Sequence, residues 1–567
     1  MRPPPVIESC PGPVIEPCLK PVIESCPKPE SSQPAQAFRN NGRGLNSGGL
    51  KRTAGLNSAS LNSGRYLKRV ASLKLILLLA VLLLLAPLRA QWRQGEFDDT
   101  DMATDLAEAL TFQKYPTYEQ YLQIMQGFAG DHPEICRLDT FGTSVQGRLL
   151  LVLKISDHVE EDEPESAVLY TSTMHGNELV GYVLMLRLAS YLLEGYGSDT
   201  EVTSLVDSLA IWINPLANPD GSYYPDNNHA LAGAQRFNAQ GTDLNRDYPD
   251  PSAAEPDLPD GRAPENQAMM ELMKTHKFTL SANIHSGAEV VNYPWDRTFD
   301  LHADDPWYRF ISREYADEAR AVDPEYMALF ENGITNGAQW YIIKGGRQDY
   351  VNYFLEGREV TLELCNQYLL DSERLEELWN LNRRSLLNYM AQCTYGIRGR
   401  VMASGDLKPI RARISIPGHD STYSVVHSST GHGDFYRLIK EGTYDVVVSS
   451  PGYASDTLRD VSVNDFQATW LDIRLDSLPG SISEEARPVL HLYPNPAGRY
   501  LFLELENMEY GPVDVRIFSV HGNLVDHHIQ YFSGNPLKIP LQSIPGGIYL
   551  LRISDGEALL IMKFMKH

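Results

Sequence analysis

Apolar positions along the chain follow two rhythms. Short, largely apolar runs at 149–155, 167–172, 209–213, 278–284 and 360–364 have the length and composition of buried strands. Around them, 115–129, 179–193, 264–276 and 372–390 repeat apolar residues at helical spacing. Strands that alternate with helices predict an α/β domain over 115–395, a mostly parallel mixed sheet with helices on both faces. After Tyr395 the texture changes to short strands and Gly-rich turns, as in Thr443-Tyr444-Asp445-Val446-Val447-Val448. A small all-β sandwich is expected at 396–475, a linker at 476–488 and a second all-β sandwich at 489–567.

The N-terminal end follows neither rhythm. Residues 5–28 repeat an eight-residue unit beginning Pro-Val-Ile-Glu, and Gly-Leu-Asn-Ser occurs at 44–47 and again at 55–58. Such tracts cannot bury a core, so 1–64 reads as a low-complexity leader, disordered or artefactual. A basic stretch at 65–74, the apolar run 75–86 and the exit Pro87-Leu88-Arg89-Ala90 then read as a secretory signal at 65–90, cleaved near Ala90. The apolar run is too short for a comfortable membrane span.

Charge and cysteine content narrow the function. The chain has 567 residues and a formal net charge of −24, and the first 90 residues are its basic part, so the remainder is more acidic still. Nucleic acid is therefore not expected as a partner. Cys136, Cys365 and Cys393 are too few and too scattered for a disulfide framework or a thiolate metal site. They read as buried free thiols, or as one disulfide plus an odd residue.

Candidate chemistry begins where a strand hands over to a helix. His175 and Glu178 lie between the run 167–172 and the helix expected from 179, and residues three apart in a first turn project to one side. Strand carboxyl ends line the crevice of open α/β sheets, so the pair could grip one metal ion there. A catalytic zinc takes three protein ligands and keeps one position open. The best third ligand is His285, at the end of another strand-like run.

Between these residues lies Arg236-Phe237-Asn238-Ala239-Gln240-Gly241-Thr242-Asp243-Leu244-Asn245-Arg246-Asp247-Tyr248-Pro249. With Leu280-Ser281-Ala282-Asn283-Ile284-His285, Gly345-Gly346-Arg347-Gln348-Asp349-Tyr350-Val351-Asn352-Tyr353 and Glu359-Val360-Thr361-Leu362-Glu363-Leu364, it resembles the zinc metallocarboxypeptidases, in the branch of carboxypeptidases D, E and N. The resemblance implies one Zn2+ per catalytic domain on His175, Glu178 and His285, with Glu363 as general base and acid. It implies that Arg236 polarises the scissile carbonyl, that Asn245 and Arg246 hold the substrate carboxylate, and that Asp243 orients His175. The tyrosine that closes over the substrate is expected at Tyr353, with Tyr350 as the alternative, because the motif here carries one extra residue after Asp349.

The appended segments resemble known modules too. Gly399-Arg400-Val401, Gly433-Asp434-Phe435 and Gly442-Thr443-Tyr444 resemble the transthyretin-like sandwich that follows the catalytic domain in the same branch. Leu492-Tyr493-Pro494-Asn495-Pro496-Ala497 and the ending Ile561-Met562-Lys563-Phe564 resemble the C-terminal sorting domain of type IX secretion. The expectation is a monomeric carboxypeptidase, secreted or held at the cell surface, that meets peptides with a free C-terminal carboxylate and the secretion machinery. A zinc amidohydrolase acting on cell-wall peptides or N-acyl amino acids is the alternative enzyme, against which Asn245 and Arg246 argue. A non-catalytic binding protein is the alternative outside enzymes, against which the retained Glu363 argues.

Overall fold

The five apolar runs lie side by side in one sheet. The computed structural model describes residues 97–251, 261–421, 423–478 and 489–567, except 507, 509–510, 533–535 and 555–558. In it, β1 (Cys136–Thr143), β2 (Leu149–Ile155), β3 (Ser166–Ser172), β4 (Leu209–Asn214), β5 (Leu280–His285), β6 (Ala288–Tyr293), β7 (Ile334–Asn336) and β8 (Arg358–Cys365) pair in the order β1-β2-β4-β3-β5-β8-β6-β7. Strands β4, β3, β5 and β8 run parallel through the centre. The antiparallel pairings are β1 with β2, β2 with β4, and β6 with β8, all towards the flanks. The expected leader at 1–64, the signal at 65–90 and linker residues 479–488 lie outside the described residues.

Among the described residues, the helices of eight residues or more are α1 (Tyr118–Asp131), α2 (Val180–Gly195), α3 (Pro264–His276), α4 (Asp305–Val322), α5 (Arg347–Phe354) and α6 (Leu375–Ala391), and they cover the sheet. Side chains alternate along each strand, which sorts the core into two. Val168, Tyr170, Ile211, Ile213 and Leu362 pack with α1, α2, α4 and α6, whereas Leu169, Ala210 and Trp212 pack with α3 and with Tyr350 and Val351 of α5. Helix α1 begins at Tyr118 rather than at 115. The Thr117 side chain caps the Gln120 amide while the Gln120 side chain accepts from the Thr117 amide at 2.8 Å, a reciprocal pair that sets the first turn. Helix α4 shows no apolar run because charged residues interrupt its apolar positions. Trp307, Tyr308, Ile311, Ser312, Tyr315, Ala316 and Ala319, recurring every three to four residues, form its buried stripe.

Strand β8 is buried along its whole length yet carries Glu359 and Glu363 on one face, four residues apart. A buried carboxylate must be paired or carry its proton. The fully buried Arg347 clamps Glu359 through Nε to Oε1 at 3.0 Å and Nη2 to Oε2 at 2.8 Å. Among the described residues no ion pair clamps Glu363 in this way, and it stands near the carboxyl end of the strand.

Beyond the sheet, β9 (Gly396–Ala403), β10 (Arg413–Ser415), β11 (Val426–His427), β12 (Asp434–Arg437), β13 (Gly442–Ser449), β14 (Asp456–Val463) and β15 (Ala468–Leu475) form two sheets, β12-β9-β15 and β11-β10-β13-β14. They close on a core that includes Ile397, Val401, Ile414, Val446 and Val448. A three-stranded and a four-stranded sheet between Val489 and Lys566 close on a separate core around Leu501, Val515 and Leu551. Cys136, Cys365 and Cys393 are buried and free.

Candidate active site

The turn that leaves β3 can approach the neighbouring backbone because it contains Gly176. A Cβ there would stand 2.3 Å from the Gly221 carbonyl carbon and 2.5 Å from the Ser222 nitrogen, so only glycine lets His175 reach the crevice. Glu178 follows just before α2, and His285 closes β5. All three side chains are buried. His175 Nδ1 lies 2.8 Å from Glu178 Oε1, His285 Nδ1 lies 2.7 Å from Glu178 Oε2, and the two Nδ1 atoms are 3.1 Å apart.

Two imidazole nitrogens and a carboxylate converging on one point match the donor set that zinc prefers. Hydrogen bonding around the set agrees with it. His175 Nε2 faces Asp243 Oδ1 at 3.1 Å, so a proton on Nε2 leaves the Nδ1 lone pair pointing inwards. Asn283 Nδ2 sits 2.8 Å from His285 Nε2, while its Oδ1 is buried without a partner. Turning that amide over lets His285 Nε2–H donate to Oδ1 and frees the second Nδ1 lone pair as well. Burial alone would raise the Glu178 pKa, but the facing imidazoles hold it below the ordinary carboxylate range. For His285, burial lowers the pKa to about 4, whereas for His175 the lowering by burial is outweighed by Glu178 and Asp243, which raise it. An ionised carboxylate and a neutral imidazole are the forms a metal needs.

Arg236, Asn245 and Arg246 line the same cleft. Arg236 Nε donates to Asp243 Oδ2 at 2.9 Å, and its Nη1 comes within 3.4 Å of Glu178 Oε1. Asp243 thus touches His175 with one oxygen and Arg236 with the other, fixing both. Asn245 Oδ1 accepts from the Arg347 amide at 3.0 Å, and Arg246 Nη1 donates to the Asn245 carbonyl at 2.7 Å. Gly345 permits this packing: its φ is +68°, and a Cβ would lie 2.6 Å from the Arg246 carbonyl oxygen.

Glu363 completes the cleft. Its Oε2 is buried and has no hydrogen-bond partner, and burial with the nearby charge of Glu178 raises its pKa well above that of an ordinary glutamate. The charge of Arg236 opposes that rise, and a carboxyl with raised proton affinity is suited to taking a proton from water and passing it on.

Tyr353 is not brought to this cleft. Four residues after Asp349 on α5, it shares that residue's side of the helix and stacks on Tyr423 at 5.6 Å, with the Arg297 guanidinium 5.2 Å from its ring. Tyr350 is buried against Tyr248, so neither tyrosine of the motif faces the site. The cleft tyrosines are Tyr341 and Tyr368. Tyr341 is 44% exposed at the cleft mouth. Its sequence signal was the aromatic pair Trp340-Tyr341 just ahead of Gly345-Gly346. Asp296 also lines the cleft and was not foreseen. Asn292 Nδ2 and Gln348 Nε2 each donate to its Oδ1 at 3.0 Å. Burial, then the charge of Asp349, pushes its pKa up to about 8.

Residues 121–385 match the family described as zinc carboxypeptidase, and residues 491–567 match the secretion system C-terminal sorting domain. The sorting domain marks the chain for export to the cell surface or beyond. Among the described residues, no helix is long and apolar enough to cross a membrane. The chain is 38% identical over 355 residues to carboxypeptidase D of Homo sapiens, a match covering 60% of this chain and 25% of that protein. It therefore spans about a quarter of the length of the carboxypeptidases D. Carboxypeptidase SOL1 of Arabidopsis thaliana is 36% identical over 352 residues, covering 60% of this chain and 69% of the relative. The carboxypeptidase N catalytic chain of Homo sapiens is 31% identical over 452 residues, covering 72% and 96%. A strand-end cluster of two histidines and a glutamate, a buried carboxylate beside it, and the 69% and 96% of the SOL1 and carboxypeptidase N chains that are matched lead to one assignment: the chain belongs to the zinc carboxypeptidase family.

Proposed function

We propose that this chain is an exported metallocarboxypeptidase that releases the C-terminal residue of peptides, and that the residue it prefers is basic. The observation that supports it most is the partnerless Glu363 oxygen, buried in one cleft with the His175, Glu178 and His285 cluster and with Asn245 and Arg246. One Zn2+ on His175, Glu178 and His285 would supply Lewis acidity to the scissile carbonyl and make the attacking water more acidic.

The chain's own groups do the rest. Arg246 and Asn245 hold the terminal carboxylate, a planar guanidinium being suited to two parallel hydrogen bonds. An amidated end offers no such anion, which limits the enzyme to free C-termini. Arg236, fixed by Asp243, donates to the carbonyl oxygen as negative charge develops there. Glu363 takes a proton from the attacking water and returns it to the leaving amine. Asp296 faces the C-terminal side chain. A buried carboxyl in a pocket with pKa near neutrality gains most from a lysine or arginine that enters and stabilises its charged form.

The test is incubation of the purified protein, with and without a zinc chelator, with peptides that differ only in their last residue and carry free or amidated ends. Mass spectrometry should show chelator-sensitive loss of single residues from free ends. Release from amidated ends, or none from either, would reject the reading.

A further inference from the structure

We infer that the β-sandwich at 396–475 is a working part of the pocket that reads the substrate's last side chain, with Tyr423 as the positioning residue for Asp296. The inference rests on the proposed role of Asp296.

The two domains meet through a buried ionic lock. Asp304, just ahead of α4, is fully buried, with its carboxylate against Arg358, Arg437 and His419 and 3.8 Å from His302 Nδ1. Arg358, the first residue of β8, donates through Nε at 3.0 Å and stands with Nη2 at 2.8 Å. Arg437, the last residue of β12, donates through Nη1 at 3.0 Å and Nη2 at 2.8 Å, and His419 Nε2 lies 2.8 Å from Oδ1. Arg437 Nη2 also donates to Asp420 Oδ1 at 2.6 Å, and Arg358 Nη2 to the Ser424 carbonyl at 2.8 Å. By spacing, Asp304, His419 and Asp420 could hold a metal ion. Arg437, bridging both carboxylates, already supplies the positive charge there. The outcome is that the turn of the sandwich carrying His419 and Ser424 is tied to the catalytic domain at both of those residues.

That turn carries Tyr423. Its ring meets Trp295 edge-on at 4.9 Å, stacks on Tyr353 at 5.6 Å and lies 5.2 Å from His302. Trp295 is fully buried and directly precedes Asp296. On the other side, the Asp296 and Arg297 amides each donate to the Asp349 carboxylate at 2.9 Å, and the Arg297 guanidinium lies 5.0 Å from the Trp295 ring. Segment 295–297 is therefore held between a carboxylate of the catalytic domain and an aromatic ring of the sandwich. A specificity carboxylate must be placed to within about half an ångström to reward a bound cation, and it is the neighbouring side chains that hold it there. Tyr423 supplies that wall from another domain, and the ionic lock holds Tyr423 in place.

The experiment compares the full chain with Tyr423→Ala, Tyr423→Leu and Tyr423→Phe by two measurements. One is the ratio of kcat/KM for peptides ending in arginine and in alanine; the other is hydrogen exchange at the Asp296 and Arg297 amides. Tyr423→Ala should lower the Arg/Ala ratio about tenfold, through KM of the arginine peptide, and speed exchange at both amides about tenfold. Tyr423→Phe should restore both. If Tyr423→Ala does not fold, Tyr423→Leu should show the same two changes, since it fills volume without a ring. Unchanged exchange with an unchanged ratio, or an equal loss on both peptides that Tyr423→Phe shares, overturns the inference. A wild-type enzyme indifferent to arginine, with exchange still quickened in Tyr423→Ala, discards the role given to Asp296 and keeps the positioning by Tyr423.

Discussion

His285 and Glu363 stand opposite each other as the last pair of the parallel ladder between β5 and β8. Adjacent parallel strands end together, and paired residues point to the same side of the sheet. The nitrogen proposed to ligate the metal and the carboxylate proposed to carry the proton therefore occupy neighbouring strand ends without any loop to place them. The sheet register itself assembles the centre.

From this follows the outcome for Glu363→Gln. The amide keeps the shape but cannot take a proton, so turnover should fall by roughly 1,000-fold, within the range of general acid–base contributions. Zinc content measured by atomic absorption should stay near one per chain. A variant that keeps wild-type turnover would remove Glu363 from the proton-transfer role.

Arg246→Ala should act on binding. Loss of a charge-assisted pair with the substrate carboxylate should raise KM roughly 30-fold for free-ended peptides, equivalent to about 2 kcal/mol. Steady-state kinetics with the same peptide series measures it, and an unchanged KM would reject the carboxylate clamp.

Selectivity for basic ends should depend on pH with a definite sign. The Asp296 carboxyl, raised to about 8 by burial and by Asp349, must lose its proton before it can pair with a cation. As pH falls from about 8 towards 6, KM for a peptide ending in arginine should therefore climb, by up to tenfold per unit, while KM for one ending in alanine stays level. In Asp296→Asn the two profiles should coincide.

The two tyrosines can be separated directly. Tyr341→Phe should reduce kcat/KM several-fold, because Tyr341 lines the cleft. Tyr353→Phe should leave it within twofold at saturating stability, since that ring packs on Tyr423 and Arg297 outside the cleft. The reverse pattern in parallel kinetic assays would return Tyr353 to the site.

Arg347→Met tests the scaffold. The substitution strips Glu359 of its fully buried partner, and an orphaned carboxylate of this kind destabilises by about 3–5 kcal/mol. Urea unfolding followed by tryptophan fluorescence should show the loss, with recovery in the double variant Arg347→Met, Glu359→Gln.

Much of this protein can be read from the order of its residues. Apolar runs marked the five strands that lie side by side in the sheet, because a strand buried on both faces has to be apolar along its length. His175, Glu178 and His285 stood out as polar residues at or just beyond the ends of such runs, and Glu363 came with the motif Glu359-Val360-Thr361-Leu362-Glu363-Leu364. Arg236, Asn245 and Arg246 came with a contiguous motif, which keeps them near one another whatever the fold. Those properties are local, so the sequence alone determined the α/β class, the strand positions and the chemical types at the centre. Other features depend on residues far apart in the chain, and only the tertiary structure decided them. Tyr353 of α5 stacks on Tyr423 instead of lining the cleft, and Tyr341, from outside α5, lines it. Asp296 matters because Asn292, Gln348 and Asp349 surround it, and Tyr423 matters because Asp304 locks two domains together. No local pattern encodes these relations, since each arises where side chains from separate elements share one buried volume.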